Sequence, residues 1–460
     1  MEFFRKIYLL VVASMLLSAC ASQDVELAPL LLEPSESFRQ QGLAVANNQQ
    51  RWWLQHGNDD LSALIEQALT GNQELQSVYQ RLQQSAALRS QAESGRWFTV
   101  DFGASDVVDV DSGDSDYRVY GEAQYEVDLW GRIDATIKES EGEYRASAFD
   151  YQTAAISLSA EVADAWYQWL EFRQQQRVLI SQLKANEKTL AVVDLRFKLG
   201  AVNITDVTQQ RQQVESSKAK LTRAEANIAT AGYRLNILLG RTPGAELTPP
   251  NHVDFTIGPA PATGLPLELL AQRTDVQAAW SLIEAREASL AAAIKDRYPR
   301  ITLGYSAQSQ SMSTAELFND WLQQLTVGVV GPVIDGGQRR AEVSRQQARL
   351  RESVHNYNVA MLEAIAEVET ALANERHQTA YVASVAKQKE LAYFTLQRKR
   401  IYYNSGTTSY LDVLAAQTSA QELELNLVTA ERELVNYRIN LYRSLAGGWS
   451  LPDAGETDSI

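Results

Sequence analysis

The sequence predicts a mainly α-helical chain with a small β component suited to a membrane barrel, laid out as two copies of one plan. Three observations predict it. Residues recur at a fixed offset of 206 positions. Long segments rich in helix formers run without a proline. Four short stretches alternate apolar and polar side chains with period two, as strands do.

The duplication is explicit. Gly200 and Asp206-Val207 recur as Gly406 and Asp412-Val413. The same offset pairs Gly131 with Gly337, Tyr151 with Tyr357, Glu161-Val162 with Glu367-Val368, and Thr189-Leu190 with Thr395-Leu396. Tyr233-Arg234 and Asn236 are echoed by Tyr437-Arg438 and Asn440, with the spacing changed by two. A period this long is not a solenoid repeat; it is a duplicated half.

In chain order, Arg5-Lys6 precede an apolar run from Ile7 to Leu17, too short to span a bilayer and right for a signal peptide. LSAC follows at 17–20, and its Cys20 is the only cysteine. This resembles the bacterial lipobox, so residues 1–19 read as a lipoprotein signal peptide and Cys20 as the lipidated mature N-terminus. Ala21, where an Asp would favour retention in the inner membrane, favours export to the outer one. Residues 20–60 read as an N-terminal arm. The first repeat spans 61–240 and the second 268–447, with a tail at 448–460. Between the repeats, 241–267 holds six of the eleven prolines and reads as a linker.

Helix-forming segments cover 60–95, 132–199, 206–240, 268–296, 338–404 and 410–446. A helix over 132–199 would be about 100 Å long. No single globular core buries that length, so its apolar residues must meet other helices along it, as in a coiled coil. The alternating stretches are 97–105, 117–129, 300–309 and 322–331, two per half. Their lengths fit strands tilted across a bilayer. An open sheet edge is not tolerated in lipid, and known barrels have at least about eight strands. Four strands in lipid therefore demand partner chains. The same alternation would also serve two soluble hairpins capping a helical bundle.

Composition removes other classes. The net charge of −15 argues against nucleic acid as partner. The four histidines, His56, His252, His355 and His377, are scattered, and no Gly-rich phosphate loop is present. No constellation for an enzyme can be assembled, and no cofactor or metal site is expected.

Several ordered motifs resemble one family. RWWLQHGNDDLSALIEQALTGNQEL at 51–75, YEVDLWGR at 125–132, RTDVQAA at 273–279, YPRITLGY at 298–305 and GPVIDGGQRRAEV at 331–343 follow its pattern, with Thr274 where the family usually has Pro. LGAVNITDV at 199–207 and NSGTTSYLDV at 404–413 resemble its two helix-hairpin tips. The chain is similar, over nearly its whole mature length, to TolC-type outer-membrane efflux proteins. The lipoprotein branch serving resistance-nodulation-division (RND) pumps is the nearer match. The resemblance implies a homotrimer with twelve strands in one β-barrel and long coiled-coil helices in an α-barrel across the periplasm. It implies a passive exit duct for drugs or other toxic small molecules in a tripartite efflux system. The partners would be a periplasmic adaptor (membrane fusion) protein and an inner-membrane RND-type transporter, with outer-membrane lipid around the barrel. Type I protein secretion and a lipid-anchored coiled-coil scaffold are the rival functions.

The candidate site is the pair of tips. Gly200 and Gly406 stand where a helix stops and the chain reverses, a position that favours positive φ. Gly200, Ala201, Val202, Asn203, Gly406 and Thr407 would contact the adaptor. Asp206 and Asp412 fall in the first turn of the returning helices, where a carboxylate can serve as a cap. By the resemblance, Asp412 copies would instead ring the periplasmic mouth and attract cations, in a ring thinned by Ala415 where a second acid is expected. The resemblance also implies a Tyr, Asp and Arg lock on the mouth. Tyr403 and Asp206 match the first two members, but Thr408 stands in the Arg position. Arg398, Lys399 and Arg400 read either as a solvated face or, at Arg398 and Arg400, as adaptor contacts.

Overall fold

The computed structural model describes residues 51–56, 58–111, 113–250, 255 and 272–445. Cys20, the leader, Trp449 with the tail, and most of the linker lie outside the described residues. The elements are a short 3-10 turn at Trp52–His56, α1 (Asp59–Gly71), α2 (Gln73–Ser94), β1 (Thr99–Val108), β2 (Ser115–Val127), α3 (Arg132–Lys198), α4 (Ile204–Leu238), α5 (Thr274–Lys295), β3 (Arg300–Ser311), β4 (Leu322–Val330), α6 (Gln338–Asn404) and α7 (Tyr410–Leu445). They gather into two compact units that cut across the repeats.

The first unit takes Thr99–Ala135 and Arg286–Asn358. It carries one antiparallel sheet in the order β1-β2-β3-β4. Its register sorts the side chains cleanly, because cross-strand partners share a face. Val100 faces Ala123, which faces Tyr305, which faces Leu325. Phe102–Gly121–Ala307 and Tyr125–Leu303–Val327 lie on the same face. Asp101–Glu122–Ser306–Gln324 lie on the other. The apolar face is left open to solvent in the single chain, with Phe102 76% and Leu325 76% exposed. Among the described residues no helix is long and apolar enough to cross a membrane.

The junctions after β2 and β4 explain two of the sequence motifs. Gly131 has φ 74°, which lets the chain turn sharply into α3. The Asp128 carboxylate accepts the Ile133 and Asp134 amides at 3.1 and 2.9 Å. Trp130 donates its indole N–H to the Pro299 carbonyl at 2.8 Å and stacks on Tyr298. In the second half Asp335 accepts the Gly337 and Arg339 amides at 2.9 and 3.2 Å. Those backbone donors hold its carboxyl below the ordinary range.

The second unit is helical. Its core packs Trp52, Trp53, Leu61 and Ile65 against α3 at Val162, Trp166 and Leu170, and against Leu235, Val435 and Ile439. Trp52 donates to Ser159 Oγ at 3.0 Å and stacks on Tyr442. The single helical stretch expected over 60–95 is two helices. Asn72 separates them: its side chain accepts the Leu75 amide at 2.9 Å and donates to the Leu238 carbonyl, a side-chain alternative to the helical ladder. The helix expected from 268 begins at Thr274, with 268–271 outside the described residues. Arg273, just before it, is buried and donates to Asp275, to Glu367 on α6 and to the Ser444 carbonyl on α7. The RTDVQAA motif thus ties three helices of this unit together.

Candidate functional site at the hairpin tips

Each long helix ends in the same device. Gly200 and Gly406 adopt φ of 74° and 76°. Gly200 donates to the Phe197 carbonyl and Ala201 to Arg196, both at 2.9 Å. Gly406 donates to Tyr403 at 3.1 Å and Thr407 to Tyr402 at 2.9 Å. These paired bonds form the glycine-dependent helix stop that satisfies the last carbonyls. Val202 folds back onto the buried cluster of Val193, Val207 and Tyr410, against which Tyr403 also packs.

The returning helices start differently. At the first tip Asn203 is the cap, accepting the Asp206 amide at 3.2 Å. That neutral cap starts α4 two residues before the helix start read at 206. At the second tip Ser409 accepts the Asp412 amide at 3.2 Å, and the Asp412 carboxylate accepts the Ser409 amide at 3.3 Å. Asp412 also accepts the hydroxyls of Ser409 and Thr408 at 2.7 and 2.8 Å and lies 3.4 Å from Lys399 Nζ. Those hydroxyls, then the Lys399 charge, depress its pKa to about 2. Thr408, in the expected Arg position, is thus bonded to Asp412. Among the described residues the Asp206 carboxylate makes no hydrogen bond or ion pair.

The remaining candidates stand near one another on α6. The Tyr403 hydroxyl is buried without a hydrogen-bond partner, and its bond to Asp206 is not formed. Its ring packs against Tyr410 and under the Arg196 guanidinium, 5.0 Å from the centroid. Arg196 also donates to Asn404 at 2.9 Å. Arg398 lies exposed over the Phe394 ring. Arg400 donates to Gln417 at 2.9 Å.

A polar cluster that the sequence reading passed over lies behind the tips. Asn186 on α3, Gln210 on α4 and Gln417 on α7 are at most 2% exposed. Asn186 Oδ1 accepts from Gln417 and Gln421 at 2.6 and 3.0 Å. Its amide donates to Ser217 Oγ at 2.7 Å, and its carbonyl accepts from Gln210 at 2.7 Å. Tyr410 donates its hydroxyl to Gln210 Oε1. The signal was present in the spacing. Val207, Gln210, Val214 and Ser217 recur at intervals of three and four, all buried, so the amides hold seam positions of a coiled coil.

Comparison with known proteins fits this architecture. The pyoverdine export outer membrane protein OpmQ of Pseudomonas aeruginosa is 27% identical, with 96% of each chain covered. The toluene efflux pump outer membrane protein TtgI of Pseudomonas putida is 28% identical, with 85% of this chain and 86% of that one covered. The solved open state of the Neisseria gonorrhoeae MtrE outer membrane channel superposes with a TM-score of 0.80 at 23% identity, covering 90% of this chain and 96% of that one. Its likeness speaks to the fold, long helices with a barrel portion. The family model for outer membrane efflux proteins matches residues 64–241 and 265–447. The chain therefore belongs to the outer membrane efflux protein family and is an efflux exit channel of the outer membrane.

Proposed function

We propose that three copies of this chain close one twelve-stranded barrel and form the passive duct of a tripartite system. One observation carries the reading: a four-stranded sheet whose β1 and β4 edges are unpaired in the single chain and whose apolar face is bare. In lipid each free edge must find a strand. Two copies would give eight strands, a barrel whose interior side chains fill; three leave room for an aqueous lumen. Cys20 would carry the lipid that anchors the arm to the outer membrane. A periplasmic adaptor would grip the hairpin tips, and an RND-type transporter in the inner membrane would supply energy and choose the cargo. That division of labour fits relatives named for cargoes as unlike as pyoverdine and toluene, and small toxic compounds are the expected class.

At the mouth, the geometry supports Asp412 as the cap of the second tip, its charge partly offset by Lys399. Asp206 is the tip carboxylate left to meet cations. The test of the assembly is the protein mass in mild detergent by light scattering, with the detergent contribution subtracted. Three chains are expected; a stable monomer overturns the shared barrel and favours a lipid-anchored scaffold.

A further inference from the structure

The cluster centred on Asn186 has a position and a chemistry that the packing of a hairpin does not require. Leucines at the same seam positions would bury as well, and replacing buried polar groups by apolar ones of similar size is often neutral or stabilising. What amides add is a single permitted arrangement. Every one of these bonds runs between two helices, and together they link all three pairings of α3, α4 and α7. Gln210 to Asn186 and Asn186 to Ser217 close α3 on α4 within the first hairpin. Gln417 and Gln421 to Asn186, and Tyr410 to Gln210, bring α7 of the second hairpin onto that pair. Any rotation or slide of α7 strands several buried donors and acceptors at once, which is costly because each loses its partner without regaining water.

The grip on α6, the outgoing helix of the second hairpin, is indirect. Arg400 binds Gln417 and Tyr393 binds Glu424, both on α7. Among the described residues near the tip, the first hairpin reaches α6 through the half-buried Arg196, by its bond to Asn404 and its stacking on Tyr403, and through the apolar packing of Tyr403 against the cluster of Val193, Val207 and Tyr410. So the first hairpin holds α7, and α7 holds α6.

We propose that Asn186, Gln210, Tyr410, Gln417 and Gln421 form the clasp that fixes the second hairpin on the first and thereby sets the aperture of the helical mouth. They are positioning residues, distinct from the Asp206, Tyr403 and Asp412 set at the tips. The aperture part rests on the duct reading above; the clasp itself does not. Breaking it frees the second hairpin to swing while the seam stays packed.

The experiment uses the full-length protein in two readouts. Tyr410→Phe deletes a single donor at constant shape. The double variant Asn186→Leu with Gln417→Leu removes the amides and keeps the seam apolar. In planar bilayers both variants are expected to raise mean conductance several-fold over the parent with the mass in detergent unchanged, and Tyr410→Phe, which strands the buried Gln210 Oε1, is expected to lower the melting temperature slightly as well. Unchanged conductance with an intact assembly overturns the proposal, and so does a fall in melting temperature alone, which is the mark of a merely structural cluster. The second readout is independent of assembly. Spin labels at Val202→Cys and Thr407→Cys, with Cys20 lipidated, report the distance between the two tips of one chain. Tyr410→Phe is expected to broaden that distribution; an unaltered distribution overturns the clasp. A parent that forms no conducting trimer fails the duct reading instead, and the spin-label result still decides the clasp.

Discussion

Ser409 and Asp412 cap one another: each donates its backbone amide to the side chain of the other, at 3.3 and 3.2 Å. This reciprocal box satisfies two donors that a helix start leaves open. The matching pair at the first tip, Asn203 and Asp206, is bonded in one direction only. The consequence is a difference in acid sensitivity. The Asp412 pKa is depressed to about 2 from an ordinary 3.8, so its contribution is fully present above the ordinary value and is lost as pH falls through the depressed one. Hydrogen exchange of the 409–413 amides, corrected for intrinsic rates, should stay slow from neutral pH to about 4 and quicken toward pH 2. Asp412→Ala should show the fast rate at every pH. The 203–207 amides should not change with acidity in this way.

Tyr403 makes a second prediction through its unpartnered hydroxyl. Removing a buried donor that binds nothing costs little, so Tyr403→Phe should leave conductance and melting unchanged. Tyr403→Ala removes the ring that packs on Tyr410 and Arg196, and should raise conductance in a planar bilayer. Equal behaviour of the two variants would show that the ring holds nothing.

Arg398 makes a third. Its guanidinium is exposed on the Phe394 ring, where charge reversal leaves the Asn186 cluster untouched. Arg398→Glu should weaken capture of the adaptor several-fold in a salt-dependent way, as rim charges do, with the detergent mass unchanged. Capture equal to the parent's would remove Arg398 from the adaptor surface.

The shared barrel predicts a parity. Phe102 lies on the sheet face that carries Leu325, Val327 and Val329, while Thr326 and Gly328 lie on the opposite face. Disulfides need Cβ atoms about 4 Å apart. Phe102→Cys paired with a cysteine at one of 325, 327 or 329 should therefore give covalent trimers under oxidation. Pairing with 326 or 328 should not. Cross-linking at both parities would mean an edge without fixed register.

Much of this fold is legible in the sequence because it is written in backbone constraints. Gly200 and Gly406 announce the tips, since few other residues accept φ near +75°. The strands show as alternation, and the observed sheet puts Val100, Phe102 and Leu325 on one face. The break at Asn72 was harder, because an asparagine inside a helix-forming run is weak evidence until its side chain is seen capping Leu75. The Asn186 cluster leaves only a trace in the spacing of Val207, Gln210, Val214 and Ser217, for a physical reason. Hydropathy assigns an amide to solvent, and only its partners, up to 235 residues away, allow it to be buried. The bond from Thr408 was masked in the same way, because it depends on the side chain of Asp412.

The core of the clasp is made of neutral groups: one Asn, three Gln, a Ser hydroxyl and a phenol. Burial pushes the Tyr410 phenol above its ordinary 10, so none of these groups ionises at any acidity a living cell meets. Dissolved ions screen charges and leave neutral, dehydrated amides alone. A bacterium cannot hold the space outside its inner membrane at constant ionic strength when the surroundings turn brackish or sour. A fastening made this way would keep the same hold through such changes, and would yield to mechanical engagement by a partner rather than to the weather.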